Sequence, residues 1–387
     1  MGRKIVSMLT FLAISGAAAL AHAFPPKIEA QAAAPTGSLP KGVSLSPDGR
    51  RLFVTNYGER DHGNVTIYDA ATLAKVDTID IPGVVVESAL SPDGRTLYVS
   101  NFARNTVQFV DLATKKVTRE IKAGTHPKIL VVSHDGRTLY AANWGNESVS
   151  VIDTSTGEIT RTLRTQKNPR GMAVTRSGRL IVANFNGKSV DFFEPEKIAA
   201  LPKGHIALPS HRVKDLCEFP RHVVLSPDES KAYVSCLLAN QVVILDAKSG
   251  AIERRIQVGR FPKALDVTHD GRWIVSADYR GSTTTLIDTT DWSTRTLDVP
   301  GMDAASGVVF ARTPRAPRSD KDKLKGKAAP ATKPEPPPAL RWFVTGWYDN
   351  HLYQVGVAGT GPRYTVDAET AQTTLKRRRF HNAHPVE

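Results

Sequence analysis

Ser46-Pro47-Asp48-Gly49-Arg50-Arg51-Leu52-Phe53-Val54-Thr55-Asn56 decides the architecture, because the chain repeats it. The turn half returns as Ser91-Pro92-Asp93-Gly94-Arg95 and Ser133-His134-Asp135-Gly136-Arg137. Weaker copies stand at Arg176-Ser177-Gly178-Arg179, Ser226-Pro227-Asp228-Glu229-Ser230 and His269-Asp270-Gly271-Arg272. The Ser or Thr that opens each copy recurs at intervals of 45, 42, 42, 51 and 42 residues. A seventh copy begins at Ser306 and runs into an insertion. In each copy a short strand meets a Pro-Asp-Gly turn, whose residue types satisfy its backbone demands. A second strand leaves the turn, and a third follows at Val65 to Asp69, Val107 to Asp111, Val149 to Asp153 and Val242 to Asp246. A fourth closes the unit, as at Ile159 to Leu163. Alternating β-branched and aromatic residues between turn clusters read as strands.

Four strands every 42 residues or so describe a propeller blade. One blade cannot bury both faces, so blades must stack and the ring must close to protect its edges. The expected fold is therefore all-β, a seven-bladed β-propeller of four-stranded antiparallel blades over residues 40–368. Before it stand a signal peptide over 1–23 and a lead-in segment over 24–39. The leader has Arg3 and Lys4, an apolar run to Leu20, and an Ala21-His22-Ala23 cleavage site, so a periplasmic or secreted protein is expected. The mature chain is expected to have no transmembrane segment and to be a monomer.

Leu52-Phe53-Val54-Thr55-Asn56, Leu97-Tyr98-Val99-Ser100-Asn101 and Leu139-Tyr140-Ala141-Ala142-Asn143 resemble the YVTN-type β-propeller repeat of YncE-like periplasmic and surface-layer proteins. The resemblance implies the fold. It says little of activity, since related propellers serve as binding modules, lactonases and redox-enzyme subunits.

The 387 residues carry 51 Lys+Arg against 38 Asp+Glu, a formal charge of +13. Much of this excess lies outside the repeat. A Lys/Pro/Ala-rich insertion at 313–339, read as disordered, contributes +4, and Lys376 to Arg379 in a basic tail over 369–387 add another +4. Overall basicity is thus a weak argument for a polyanion partner. Hydrophobic residues at 41% exclude wholesale disorder, and two cysteines exclude a disulfide-dense scaffold.

Alignment of the copies exposes a column of cations. Five residues before the Ser or Thr of each turn stand Lys41, Lys128, Arg170, Arg221 and Lys263, each preceded by proline. The column reads Val86, followed by Glu87, and Ser306 in the other two blades. First strands line a propeller's channel, so these cations should meet at one mouth, where field lines focus. His126 and His222 stand beside them and should add charge in mild acid. The second strands end on the same face with Tyr57, Phe102, Trp144, Phe185, Tyr279 and Trp347. Cations interleaved with rings suit an anionic ligand or protein partner, single-stranded nucleic acid among them.

The leading expectation is a non-enzymatic binding or scaffold propeller with a cationic, aromatic-flanked mouth. The alternatives are a lactonase-like hydrolase around Glu87, His126 and His222, and an accessory subunit of a periplasmic redox complex. Only Glu87 and Asp303 read as rim acids, so no catalytic pair is legible. No nucleophile elbow, calcium loop, metal site or cofactor motif appears. His134 and His269 replace the turn proline on the opposite face. Cys217 and Cys236 flank the fifth blade's first hairpin, and the sequence leaves a disulfide or two thiols both open.

Overall fold

The computed structural model describes residues 24–25, 27–312 and 340–358. The leader, the insertion and the basic tail lie outside the described residues. Seven antiparallel sheets make seven blades of a β-propeller. The first blade sets the pattern, with strands Pro40–Leu45, Arg51–Asn56, Val65–Asp69 and Lys75–Ile79 in sequential order.

The turns justify their repeated residues. Ser46 Oγ donates to Asp48 at 2.5 Å, and the same Ser or Thr to Asp bond recurs at Ser91, Ser133, Ser226 and Thr268. Gly49 sits at φ 74°, a left-handed conformation that glycine adopts without a Cβ penalty. Residues pointing between blades form seven apolar clusters; one packs Leu52, Val54 and Tyr68 against Phe343 and Leu352 of the neighbouring blade. Each such large side chain contributes about 1.5–3 kcal/mol on burial.

Ring closure departs from the expected boundaries. The lead-in contains strand Ile28–Pro35, which pairs antiparallel with His351–Val357 as the outermost strand of the seventh blade. Gln31 Nε2 donates to the Val357 carbonyl at 2.9 Å, and Gln354 Nε2 donates to Gln31 Oε1 at 2.9 Å, both side chains buried. The described strands of the propeller thus run from Ile28 to Val357, and residues 359–368 of the expected range lie outside the described residues. The lengthened fourth blade resolves into a short helix, Pro195–Ala199, and two short strands. Ile206–Ala207 adds a fifth, parallel strand to the third blade, and His211–Val213 supplies the fourth blade's outer strand. Among the described residues no helix is long and apolar enough to cross a membrane.

Candidate functional site

Every first strand carries a register irregularity just after its opening residue. It lies between Pro40 and Val43, Pro127 and Leu130, Pro169 and Met172, Pro220 and Val223, and Pro262 and Ala264. The proline opens the strand without needing a ladder donor, and the irregularity re-aims the residue that follows it. That residue is the cation. Gly42, next to Lys41, keeps the space clear, since a Cβ there would lie 2.2 Å from Glu87 Oε2.

The rings are placed by a bond that recurs in all seven blades. The amide after each second strand donates to the carbonyl just ahead of the first strand. Tyr57 donates to Leu39, Phe102 to Val84, Trp144 to His126, Phe185 to Asn168, Tyr279 to Phe261 and Trp347 to Ala304, all at 2.9–3.1 Å. Six of the seven carbonyl residues hold φ near +50° to +60°, including Leu39, His126 and Phe219. Such backbone costs about 1 kcal/mol for a residue with a Cβ, and here it fixes ring beside cation.

The outcome is a set of cation–ring sandwiches. Lys128 Nζ lies 3.8 Å from the Trp144 centroid and 5.4 Å from Phe102, while Arg170 sits 5.2 Å from Trp144 and 5.5 Å from Phe185. Lys263 Nζ is 3.8 Å from Tyr279 and 4.5 Å from Trp347, and Lys41 is 4.7 Å from Tyr57 and 5.7 Å from Trp347. The rings also meet one another: Tyr57 stacks on Trp347 at 5.7 Å and Phe185 on Phe219 at 4.5 Å. Tyr279 is buried and donates to the Tyr348 hydroxyl at 3.1 Å. Among the described residues Arg221 has no such ring. Leu237 fills that place, Cys236 is bonded to Cys217, and Arg221 Nε donates to the Lys263 carbonyl at 3.0 Å. The disulfide, with Cα atoms 5.9 Å apart, decides between the two thiol states left open above.

A channel cavity of about 340 Å³ is lined at this end by Lys41, Glu87, Arg170, Arg221, His222 and Lys263. Lys128 stands outside that lining but feels Arg170, Lys41 and Arg221. Burial, then Arg170, draws Lys41 down to about 7, with Glu87 opposing. Burial and the neighbouring cations bring Lys128 down to about 5 and hold Lys263 well below an ordinary lysine. Burial lowers Arg170 to about 10, and burial with Arg170 lowers Arg221 further from its usual value. Burial lifts Glu87 while Lys41 and three other cations pull it back. Five basic groups therefore share one carboxylate in a space that screens poorly. This is an arrangement that an added negative charge relieves.

The histidines depart from expectation. Burial, then Arg221 and Arg170, brings His222 down to about 4, so it stays neutral in mild acid instead of adding charge. Its Nδ1 accepts the Leu265 amide at 3.2 Å. His126 stacks on Phe102 at 4.2 Å, outside the lining of the cavity. Asp303 is buried and outside the lining too, with its amide donating to Asp349. Among the described residues the acids that line the cavity are Glu87 and Asp266, and neither His126 nor Asp303 joins them there.

Asp266 and Arg312 also line the cavity and were not foreseen. Burial raises Asp266, with Arg312 pulling it down, and its carboxylate accepts the Phe310 amide at 2.7 Å. The signal was present: two residues before the turn the blades read Ser44, Ala89, Val131, Ala173 and Val224, and then a lone Asp266.

A family profile described as the cytochrome D1 heme domain matches residues 47–265, more than half of the chain. The likeness to the YVTN-type repeat therefore stands at the level of the β-propeller. No curated protein shows significant similarity to the chain. Among solved structures, Kuenenia stuttgartiensis hydrazine synthase superposes with a TM-score of 0.66 at 19% identity, covering 83% of this chain and 96% of that one. At that identity the likeness shows the shared fold.

Proposed function

The chain belongs to the cytochrome D1 heme domain family, and from that footing we propose that it is an exported anion-binding propeller serving as an accessory subunit of a redox assembly. The observation that carries the binding half is the convergence of Lys41, Arg170, Arg221 and Lys263 on one cavity that holds a single glutamate at that end. The assembly half is supported by family membership and by the likeness to a structure titled hydrazine synthase.

The family is named for a haem, and the lining of this channel does not suit one. A macrocycle needs flat apolar walls and an axial donor. His222 accepts the Leu265 amide on Nδ1, so its ring proton lies on Nε2 and no lone pair is offered to an iron. Met172 lines the cavity too, but it is 4% exposed and packed in the apolar cluster between the third and fourth blades. Charged side chains hold the remaining space at the mouth. No chemistry is assigned to a haem here.

The test uses the mature protein and an Arg170→Glu/Arg221→Glu variant as bait in extracts of the exporting compartment at low salt. A metal- or haem-bearing protein should copurify with the wild type, leave on raising the salt, and be absent with the variant. Retention by the variant at undiminished yield would overturn the reading.

A further inference from the structure

The mouth was expected to offer its rings to bases, and the geometry assigns them another task. Trp144 is flanked by Lys128 at 3.8 Å and Arg170 at 5.2 Å, and Trp347 by Lys263 at 4.5 Å and Lys41 at 5.7 Å. A base stacking on these faces would have to displace a cation. The rings hold the cations in place, where each contact contributes about 0.5–2 kcal/mol. This argues against a single-stranded polymer laid across the mouth. Size argues the same way, for about 340 Å³ is at the small end of ligand cavities.

The donors inside are specific. Arg170 and Arg221 bring two planar forks to one lining. Arg221 uses Nε on the Lys263 carbonyl, and among the described residues its terminal nitrogens carry no hydrogen bond. Guanidinium forks match the paired oxygens of phosphate, sulfate and carboxylate. Lys41 and Lys263 add two ammonium groups, while Glu87 subtracts one charge. With all four basic groups protonated, the lining complements two or three negative charges in a small volume.

We infer that the channel mouth holds one compact, multivalent oxyanion, of the phosphate, sulfate or small polycarboxylate class, gripped by Arg170 and Arg221 and neutralised by Lys41 and Lys263. This rests on the anion-binding reading above and narrows its ligand. Uptake is linked to protons. The lysines of the empty mouth are crowded by Arg170 and Arg221, and an arriving anion restores their protons. Glu87, neutral His222, Tyr57 and Tyr279 also face the mouth, and Asp266 with Arg312 lines the cavity beyond them. Sulfate keeps its charge across pH 6–9, so any pH dependence of its binding belongs to the protein.

The experiment is calorimetric titration of the full mature protein with sulfate and citrate, with nitrate as the monovalent control. A pentadecathymidylate and polyglutamate are the polymer arms. Sulfate and citrate should bind one per chain, at least about tenfold more tightly than nitrate. Sulfate affinity should fall by up to about tenfold per pH unit for each proton taken up as pH rises from 7 to 9. The apparent heat at pH 8 should differ between buffers of different ionisation enthalpy. Arg170→Lys and Arg221→Lys keep the charge but lose the fork, and each should weaken sulfate by about tenfold. Lys115→Met, at an exposed pair with Asp77, should change nothing. If nitrate binds as well as sulfate, or the buffers give equal heats, the inference is overturned. If a polymer binds and sulfate does not compete, the compact class is wrong while the anion-binding reading stands. If nothing anionic binds, both fall.

Discussion

The two faces of the disc handle charge in opposite ways. On the turn face the turn aspartates are answered within a few residues. Asp93 and Asp135 accept the Ser91 and Ser133 hydroxyls and the Arg95 and Arg137 amides, and burial or exposure notwithstanding, those bonds hold their carboxyls below the usual range. On the channel face, five basic side chains from five blades lean on one another and on Glu87. One repeat generates both, because strand pairing fixes which residue types face which side. The difference teaches that the turn residues hold the fold together, whereas the mouth keeps charge in an unrelieved state at the expense of stability.

Four measurements sharpen or break that contrast, from the largest expected effect down. Glu87→Gln removes the carboxylate shared by the mouth cations and should lower unfolding free energy by about 4 kcal/mol at neutral pH, read by urea denaturation in chloride-only buffer. A change below about 1 kcal/mol would mean the mouth is not under strain. Reducing the Cys217–Cys236 link, or replacing both with serine, should cost about 3 kcal/mol. In the same variant, Arg221 should lose its share of anion binding if the link, in place of a ring, fixes that blade's mouth.

Lys128→Met should stabilise the empty protein by about 2 kcal/mol at pH 7, since it removes an amine that must give up its proton to be buried there. The sign follows from linkage. Lys128 is brought down to about 5 when folded, so its penalty is full below that pH and fades as pH rises toward the unfolded lysine value. Wild-type stability should therefore climb from pH 6 to 9, and the variant should climb less, as thermal midpoints across that range would show. Asp93→Ala on the turn face should cost about 1 kcal/mol with no change in ligand affinity. A matching loss of affinity would mean the faces are not independent.

The disc was legible because its repeats are local. A Ser-Pro-Asp-Gly turn satisfies itself within five residues, so its copies survive as sequence. The cation column was legible for the same reason, since each strand irregularity sits at a fixed distance from its turn. What escaped depends on contacts between distant segments. Ile28–Pro35, Ile-Glu-Ala-Gln-Ala-Ala-Ala-Pro, has no turn motif beside it and becomes a strand by pairing with His351–Val357. His222 reads as an acid-responsive group until its burial beside two arginines is seen. The rings read as free platforms until a cation is found against each. Ile206–Ala207 joins the third blade from an insertion in the fourth, a crossover that local pattern cannot show.

The strand at Ile28–Pro35 carries a consequence for how the molecule comes into being. It is synthesised before any blade, yet its partner arrives 326 residues later, as the Gln31 to Val357 bond measures. Until then the nascent ring is a chain of hairpins with raw edges at both extremities, open to mispairing with another copy. Shutting it demands one long-range docking step, slow beside the quick formation of each hairpin. The latch also binds the two extremities into a single cooperative unit, so trimming a handful of residues from the front should loosen the back.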